Sequence, residues 1–135
     1  MLFRSQHPTY GYRDAERDPH WLERPAGRIA EFPSMTLEVA GRRFPASGGA
    51  YFRLLPPVLV RGGLRQAAKR GAPGMFYIHP WEMDDWAPEV DAPLLQRIRT
   101  FRGRKSTRSR MAVLLSDFSF GPVESTLESM AASAR

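Results

Sequence analysis

The residues best suited to chemistry lie in one stretch, Gly74 to Asp85 (GMFYIHPWEMDD). Met75-Phe76-Tyr77-Ile78 has the length and the aromatic, β-branched content of a buried strand. The strand would deliver His79, and Pro80 ends any ladder there because it has no N–H to donate. Trp81, Glu82, Asp84, Asp85, Trp86 and Glu89 follow. An imidazole at the C-terminal mouth of a core strand, between aromatic walls and acids, is placed for proton transfer. Glu82 or Asp84 could orient that imidazole and raise its pKa. The plainer alternative is a strand-end histidine bonded to a neighbouring loop, with acids that solubilise the loop or pair with nearby arginines.

Other site chemistries find less support. His7, His20 and His79 show no H-x-x-x-H or H-E-x-x-H spacing, so no complete metal site is expected within the chain. No G-x-S-x-G elbow supplies a nucleophile. Gly48-Gly49 lacks the G-K-[ST] of a phosphate loop and is expected to allow a positive φ or a close backbone approach beside Tyr51 and Phe52.

The elements around this stretch are read from periodicity and punctuation. Residues 4 to 33 carry Pro8, Gly11, Pro19, Pro25, Gly27 and Pro33, with Tyr10, Tyr12 and Trp21 between them, and show no helical or alternating period. Residues 35 to 40 alternate apolar and polar as a strand does, and Gly41-Arg42-Arg43 turns the chain. A helix is predicted from Val58 to Arg70, with Pro57 in its first turn, Gly62-Gly63 weakening its middle and Gly71 ending it. The succession of helix, short turn and buried strand is the rhythm of an α/β layer or barrel. Asp91 is placed to cap a further helix with Pro93 just inside, whose stripe is Leu94, Leu95, Ile98 and Phe101. Ser106 or Thr107 would cap another, burying Met111, Leu114, Leu115 and Phe118. Phe118 to Val123 reads as extended, and a weakly helical tail runs from 124 to 135.

With 135 residues, 42% hydrophobic and 25% charged, the chain has the size and balance of one globular domain with a core of its own. It has no cysteine, which excludes disulfides and thiolate metal sites. No apolar run is long enough to span a bilayer and the N-terminus has no signal-peptide core, so a cytoplasmic location is expected. The net charge of +6 is concentrated between Arg97 and Arg110, where six arginines and one lysine fall in fourteen residues. Phe101, the single aromatic there, belongs to the apolar stripe, and no nucleic-acid-binding signature accompanies the run. Nucleic acid is therefore not the expected partner. An acidic glycan or a partner protein could use the patch, which gives an alternative function as a non-catalytic binding module.

Three stretches in order carry a resemblance to a known family: Ser47-Gly48-Gly49-Ala50-Tyr51-Phe52-Arg53-Leu54-Leu55-Pro56, then Met75 to Asp84, then Asp117-Phe118-Ser119-Phe120-Gly121-Pro122-Val123. Pro8-Thr9-Tyr10-Gly11 and Glu31-Phe32-Pro33 also fit. Together they resemble the C-terminal part of the polysaccharide deacetylases (NodB-homology carbohydrate esterases) found in exopolysaccharide loci with exosortase systems. The resemblance spans residues 3 to 123. It implies an α/β fold, the C-terminal portion of a distorted (β/α) barrel that is incomplete on its own.

It also implies a hydrolase that removes acetyl groups from an amino-sugar polysaccharide. In the complete family enzyme a divalent metal, typically zinc, activates water for attack on the acetyl carbonyl. The family's apolar-x-His motif falls on Tyr77-Ile78-His79, which assigns His79 as the acid toward the leaving amine. Tyr51, Trp81 and Glu82 are then expected to line or support the substrate site. The family's metal-binding and base motifs lie upstream of Met1 and have no counterpart here, so no cofactor site is expected within the chain, and the chain alone is expected to be inactive. The missing N-terminal half, or a second copy of the chain, becomes an expected partner, because a partial barrel leaves strand edges and apolar surface uncovered.

Overall fold

A computed structural model describes residues 15–84, 86 and 91–133. The opening segment with His7, Tyr10 and Tyr12, and the acids Asp85 and Glu89, lie outside the described residues. The first described element is a hairpin of β1 (His20–Arg24) and β2 (Gly27–Glu31), in register from His20 opposite Glu31 to Arg24 opposite Gly27. The sequence shows no regular period across this region. Pro25, which reads as a breaker, is one of the two residues of the hairpin turn, where its fixed φ is an asset. Arg28 lies over the Trp21 ring, 4.1 Å from its centroid.

A second hairpin pairs β3 (Thr36–Val39) with β4 (Arg42–Pro45), on the alternating segment expected to be a strand. Helix α1 (Gly49–Leu54) follows, then α2 (Pro57–Lys69), which opens on Pro57 as the sequence predicts. At its end the Gly71 N–H donates to Ala68 O (3.0 Å) and the Ala72 N–H to Ala67 O (3.1 Å), a paired Schellman closure. The glycines inside α2 have a packing reason. A Cβ on Gly63 would come within 3.0 Å of Met35 and 3.2 Å of Ala46, so the missing side chain lets the helix approach the β3–β4 hairpin. Gln66 fixes that contact. Its side-chain amide donates to Glu38 O and accepts from Glu38 N–H, both at 2.8 Å. One side chain thus takes the place of a neighbouring strand along the open edge of β3.

The core gathers Met35, Leu37, Ala46, Phe52, Val60, Leu64 and Leu114. Phe76 and Ile78 pack against it from the extended run 75–78, with Phe76 edge-on to Phe52 at 5.1 Å. That run is not the expected strand. Among the described residues its ladder contact is one parallel bridge, Ser34 to Met75, and it is held by side-chain packing instead.

Helix α3 (Leu94–Phe101) has Pro93 as its N-cap, two residues later than an Asp91 cap would place it, and it buries none of its residues. Leu94 and Leu95 of the expected apolar stripe are 73% and 71% exposed. Helix α4 (Thr107–Asp117) buries Leu114 but leaves Leu115 exposed. Ser106 precedes α4 as expected, although its hydroxyl donates backward to Gly103 O (2.9 Å) and does not cap the helix. Helix α5 (Val123–Ser133) occupies the predicted tail. The charged base of the first hairpin is tied down by Arg17 on Glu38 (2.8 Å) and Arg70 on Asp18 (2.7 Å). Burial, then the neighbouring Arg70 and Arg43 charges, holds the Arg17 guanidinium below its ordinary pKa.

The Gln66 clamp gives a direct test. Gln66→Ala leaves two backbone groups of Glu38 without protein partners and should lower the unfolding free energy by about 1–3 kcal/mol. Gln66→Glu should cost at least as much, since a carboxylate cannot donate to Glu38 O. Chemical denaturation of the two variants checks this.

Candidate functional site

Between α1, α3 and the segment around His79 lies an open cleft of about 610 Å³. Its floor is a buried ion pair. Arg53 from α1 and Glu82 have side chains only 1% and 2% exposed. Arg53 Nε donates to Glu82 Oε1 at 3.0 Å, and Nη2 lies 3.0 Å from the same oxygen. Nη1 donates to the carbonyls of Thr100 (3.0 Å) and Arg102 (2.9 Å), and Nη2 to that of Arg99 (3.0 Å). Every guanidinium nitrogen therefore has a partner. The three carbonyls belong to the C-terminal end of α3, where the helix dipole favours a cation.

Glu82 completes the arrangement from the other side. Its Oε2 accepts the backbone N–H of His79 at 2.9 Å, while the Glu82 N–H donates to His79 O at 2.9 Å. Residues Pro80–Met83 close into a single 3₁₀ turn headed by His79. The acid that sequence reasoning offered as an orienter of the imidazole thus holds the main chain of His79, not its ring. Asp84, the other candidate, accepts the Trp86 N–H at 3.1 Å and plays no part in the pair.

Gly48 and Gly49 make room for this floor. Gly48 has φ 91°, and a Cβ on Gly49 would land inside the Glu82 carboxylate. Both roles expected of the glycine pair are present, one on each residue.

Above the floor His79 is exposed, with its ring stacked on Trp81 at 6.2 Å and 10° between planes. Tyr77 meets His79 edge-on at 5.9 Å. The guanidinium carbons of Arg53 and Arg104 lie 5.4 and 5.9 Å from the Trp81 ring centroid. The opposite wall is α3, with Leu95, Gln96, Arg99 and Thr100. Of the predicted site residues, His79, Trp81 and Glu82 share the cleft, whereas Tyr51 is not among its lining residues. Sequence reasoning missed Arg53. Its signal was an arginine in the otherwise apolar Tyr51-Phe52-Arg53-Leu54-Leu55, where a charge must be either exposed or fully paired.

The Arg-rich run is divided between side chains that tie down carbonyls and side chains open to solvent. Arg104 Nη2 donates to the carbonyls of Trp81 (3.0 Å), Asp84 (2.6 Å) and Trp86 (2.6 Å), and Arg108 Nε to that of Met83 (2.8 Å). Arg110 Nη1 reaches Phe52, Arg53 and Leu55 carbonyls at 3.0–3.1 Å, closing the end of α1. Arg97, Arg99, Arg102 and Lys105 stay exposed.

Among the described residues no group of three or more His, Asp or Glu side chains could hold a metal ion. The zinc implied by the resemblance thus has no ligand set on them. No helix of the described residues is long and apolar enough to cross a membrane.

With this geometry in view, residues 2–128 match the family described as "Domain of unknown function (DUF3473)", and the chain belongs to that family. No curated protein and no solved structure matches the chain.

The floor predicts a specific sensitivity. Arg53→Lys keeps the charge but provides three donors in place of a five-donor fork, and should cost about 3–5 kcal/mol by leaving Glu82 and the α3 carbonyls undersatisfied. Gly49→Ala should expel the Glu82 carboxylate and be comparably damaging. Urea denaturation of both variants, with circular dichroism to confirm folding, reads the result.

Proposed function

We propose that this chain is the C-terminal portion of a polysaccharide deacetylase, a hydrolase that removes acetyl groups from an amino-sugar exopolysaccharide, and that His79 is its general acid. One observation carries the reading. His79 stands exposed on the rim of the cleft, stacked on Trp81, with its main chain fixed by a buried carboxylate. A proton donor needs this combination: a ring open to the substrate on a backbone that does not drift. The His79 ring would give its proton to the departing nitrogen as the C–N bond to the acetyl group breaks, leaving a free amine on the sugar. Trp81 offers an apolar face to a pyranose ring. Glu82 holds the turn and, with both oxygens already bonded, makes no direct contact with the polymer.

The ordered motifs Ser47–Pro56, Met75–Asp84 and Asp117–Val123 support the family side of the proposal. The barrel side is supported by the parallel sense of the Ser34–Met75 bridge, the sense neighbouring barrel strands share. Leu94 on α3, 73% exposed and outside the cleft lining, fits a surface that packs on further structure. The metal, the base and the oxyanion donors of such an enzyme would come from outside the described residues.

The test is deacetylation of an acetylated amino-sugar polymer by the native polypeptide that carries this region. His79→Ala should reduce turnover about 10²–10⁴-fold, with unfolding behaviour close to wild type because the anchor at this position is a backbone N–H. Near-wild-type turnover in that variant, or no deacetylation by the wild type, overturns the proposal.

A further inference from the structure

The charges around the cleft are unequal in a way that points to its ligand. Among the charged residues lining it, Arg53 has a protein partner at every nitrogen, and Glu82 is filled by Arg53 and the His79 N–H. Neither can answer a charge on a ligand. Arg99 differs. It is exposed, and its guanidinium enters no ion pair or side-chain hydrogen bond among the described residues, while its backbone carbonyl is gripped by Arg53 at 3.0 Å. The turn of α3 that carries Arg99 is thereby fastened to the cleft floor. Leu95, Gln96 and Arg99 sit at i, i+1 and i+4, on the wall that faces His79 and Trp81. Among the described residues Glu82 is the one acid in the lining, and it is already neutralised.

We infer that the cleft selects a glycan bearing a carboxylate, a uronic acid residue, with Arg99 as the group that reads its charge. The sugar ring lies against the Trp81–His79 stack and the carboxylate meets the guanidinium, whose planar fork matches it in a two-point contact. This rests on the reading of the cleft as a polysaccharide site and adds the substrate's charge to it. The basic run does not do this collectively. Arg104, Arg108 and Arg110 are held by carbonyls, and Lys105 is exposed but does not line the cleft.

The experiment is calorimetric titration of the 135-residue chain with a uronic acid oligosaccharide and, separately, with a neutral N-acetylglucosamine oligosaccharide of equal length. Each titration is repeated on Arg99→Gln and Lys105→Gln. The acidic oligosaccharide should bind at least about tenfold more tightly than the neutral one. Arg99→Gln should remove that preference while leaving neutral binding intact, and Lys105→Gln should change neither. Equal affinity for the two sugars, or equal losses in the two variants, overturns the role of Arg99 but leaves a glycan site standing. Binding of neither sugar overturns the glycan reading and this inference with it.

Discussion

The structure depends on a charge taken out of water. Arg53 and Glu82 are both almost wholly buried, and desolvating two ions costs several kcal/mol per ion unless geometry restores what hydration supplied. Here it does so completely. Three carbonyls, two contacts to one carboxylate oxygen and the His79 N–H replace the lost water. The arrangement joins three segments far apart in sequence: α1, the 3₁₀ turn after His79, and the end of α3. None of them would hold its position alone, since α1 has six residues, the turn four, and α3 buries no side chain. Isolated helices that short are unstable in water. Polar satisfaction at one point therefore does what a larger apolar core does elsewhere.

The same economy explains the basic run. A net charge of +6 invites a search for an anionic partner, and the run from Arg97 to Arg110 looks like the surface for it. Three of its arginines, Arg104, Arg108 and Arg110, instead tie down backbone carbonyls, Arg110 those at the end of α1. Arg104 and Arg108 grip the carbonyls of Trp81, Met83, Asp84 and Trp86. Buried or half-buried carbonyls need donors from somewhere, and a guanidinium brings several at once.

How much could be read in advance follows from this. Helix α2 was legible because its signals are local: Pro57 at the start, Lys69 and Gly71 at the end. The β3 strand was legible from alternation, and the Gly48–Gly49 pair from the chemistry of glycine. The first hairpin was not, because Pro25 signals a turn and a break equally well. The run Met75–Ile78 has the composition of a strand, but composition cannot say whether a neighbour will pair with it, and among the described residues only Met75 is bridged. At the site, His79, Trp81 and Glu82 stood out by type and proximity. Arg53 did not, because its partners lie 29 to 49 residues away and nothing local marks them. The exposed Leu94 and Leu95 show the same limit from the apolar side, since a stripe predicts a buried face only where something covers it.

Those long separations also set an order of events. Closing chain loops of this length costs entropy before any contact repays it. The hairpin ladders and the helical bonds of α2 join neighbours close in sequence and can form early, whereas the bonds from Arg53 to the Arg99, Thr100 and Arg102 carbonyls, 46 to 49 residues away, need the end of α3 to come back to α1. The cleft has no existence before that moment. A chain caught partway, emerging from the ribosome or opened by thermal fluctuation, carries His79 on a slack tether with no wall opposite. Whatever this cleft admits is thus gated by completion of the fold, and the contact of Arg53 with the end of α3 is the step at which that gate closes.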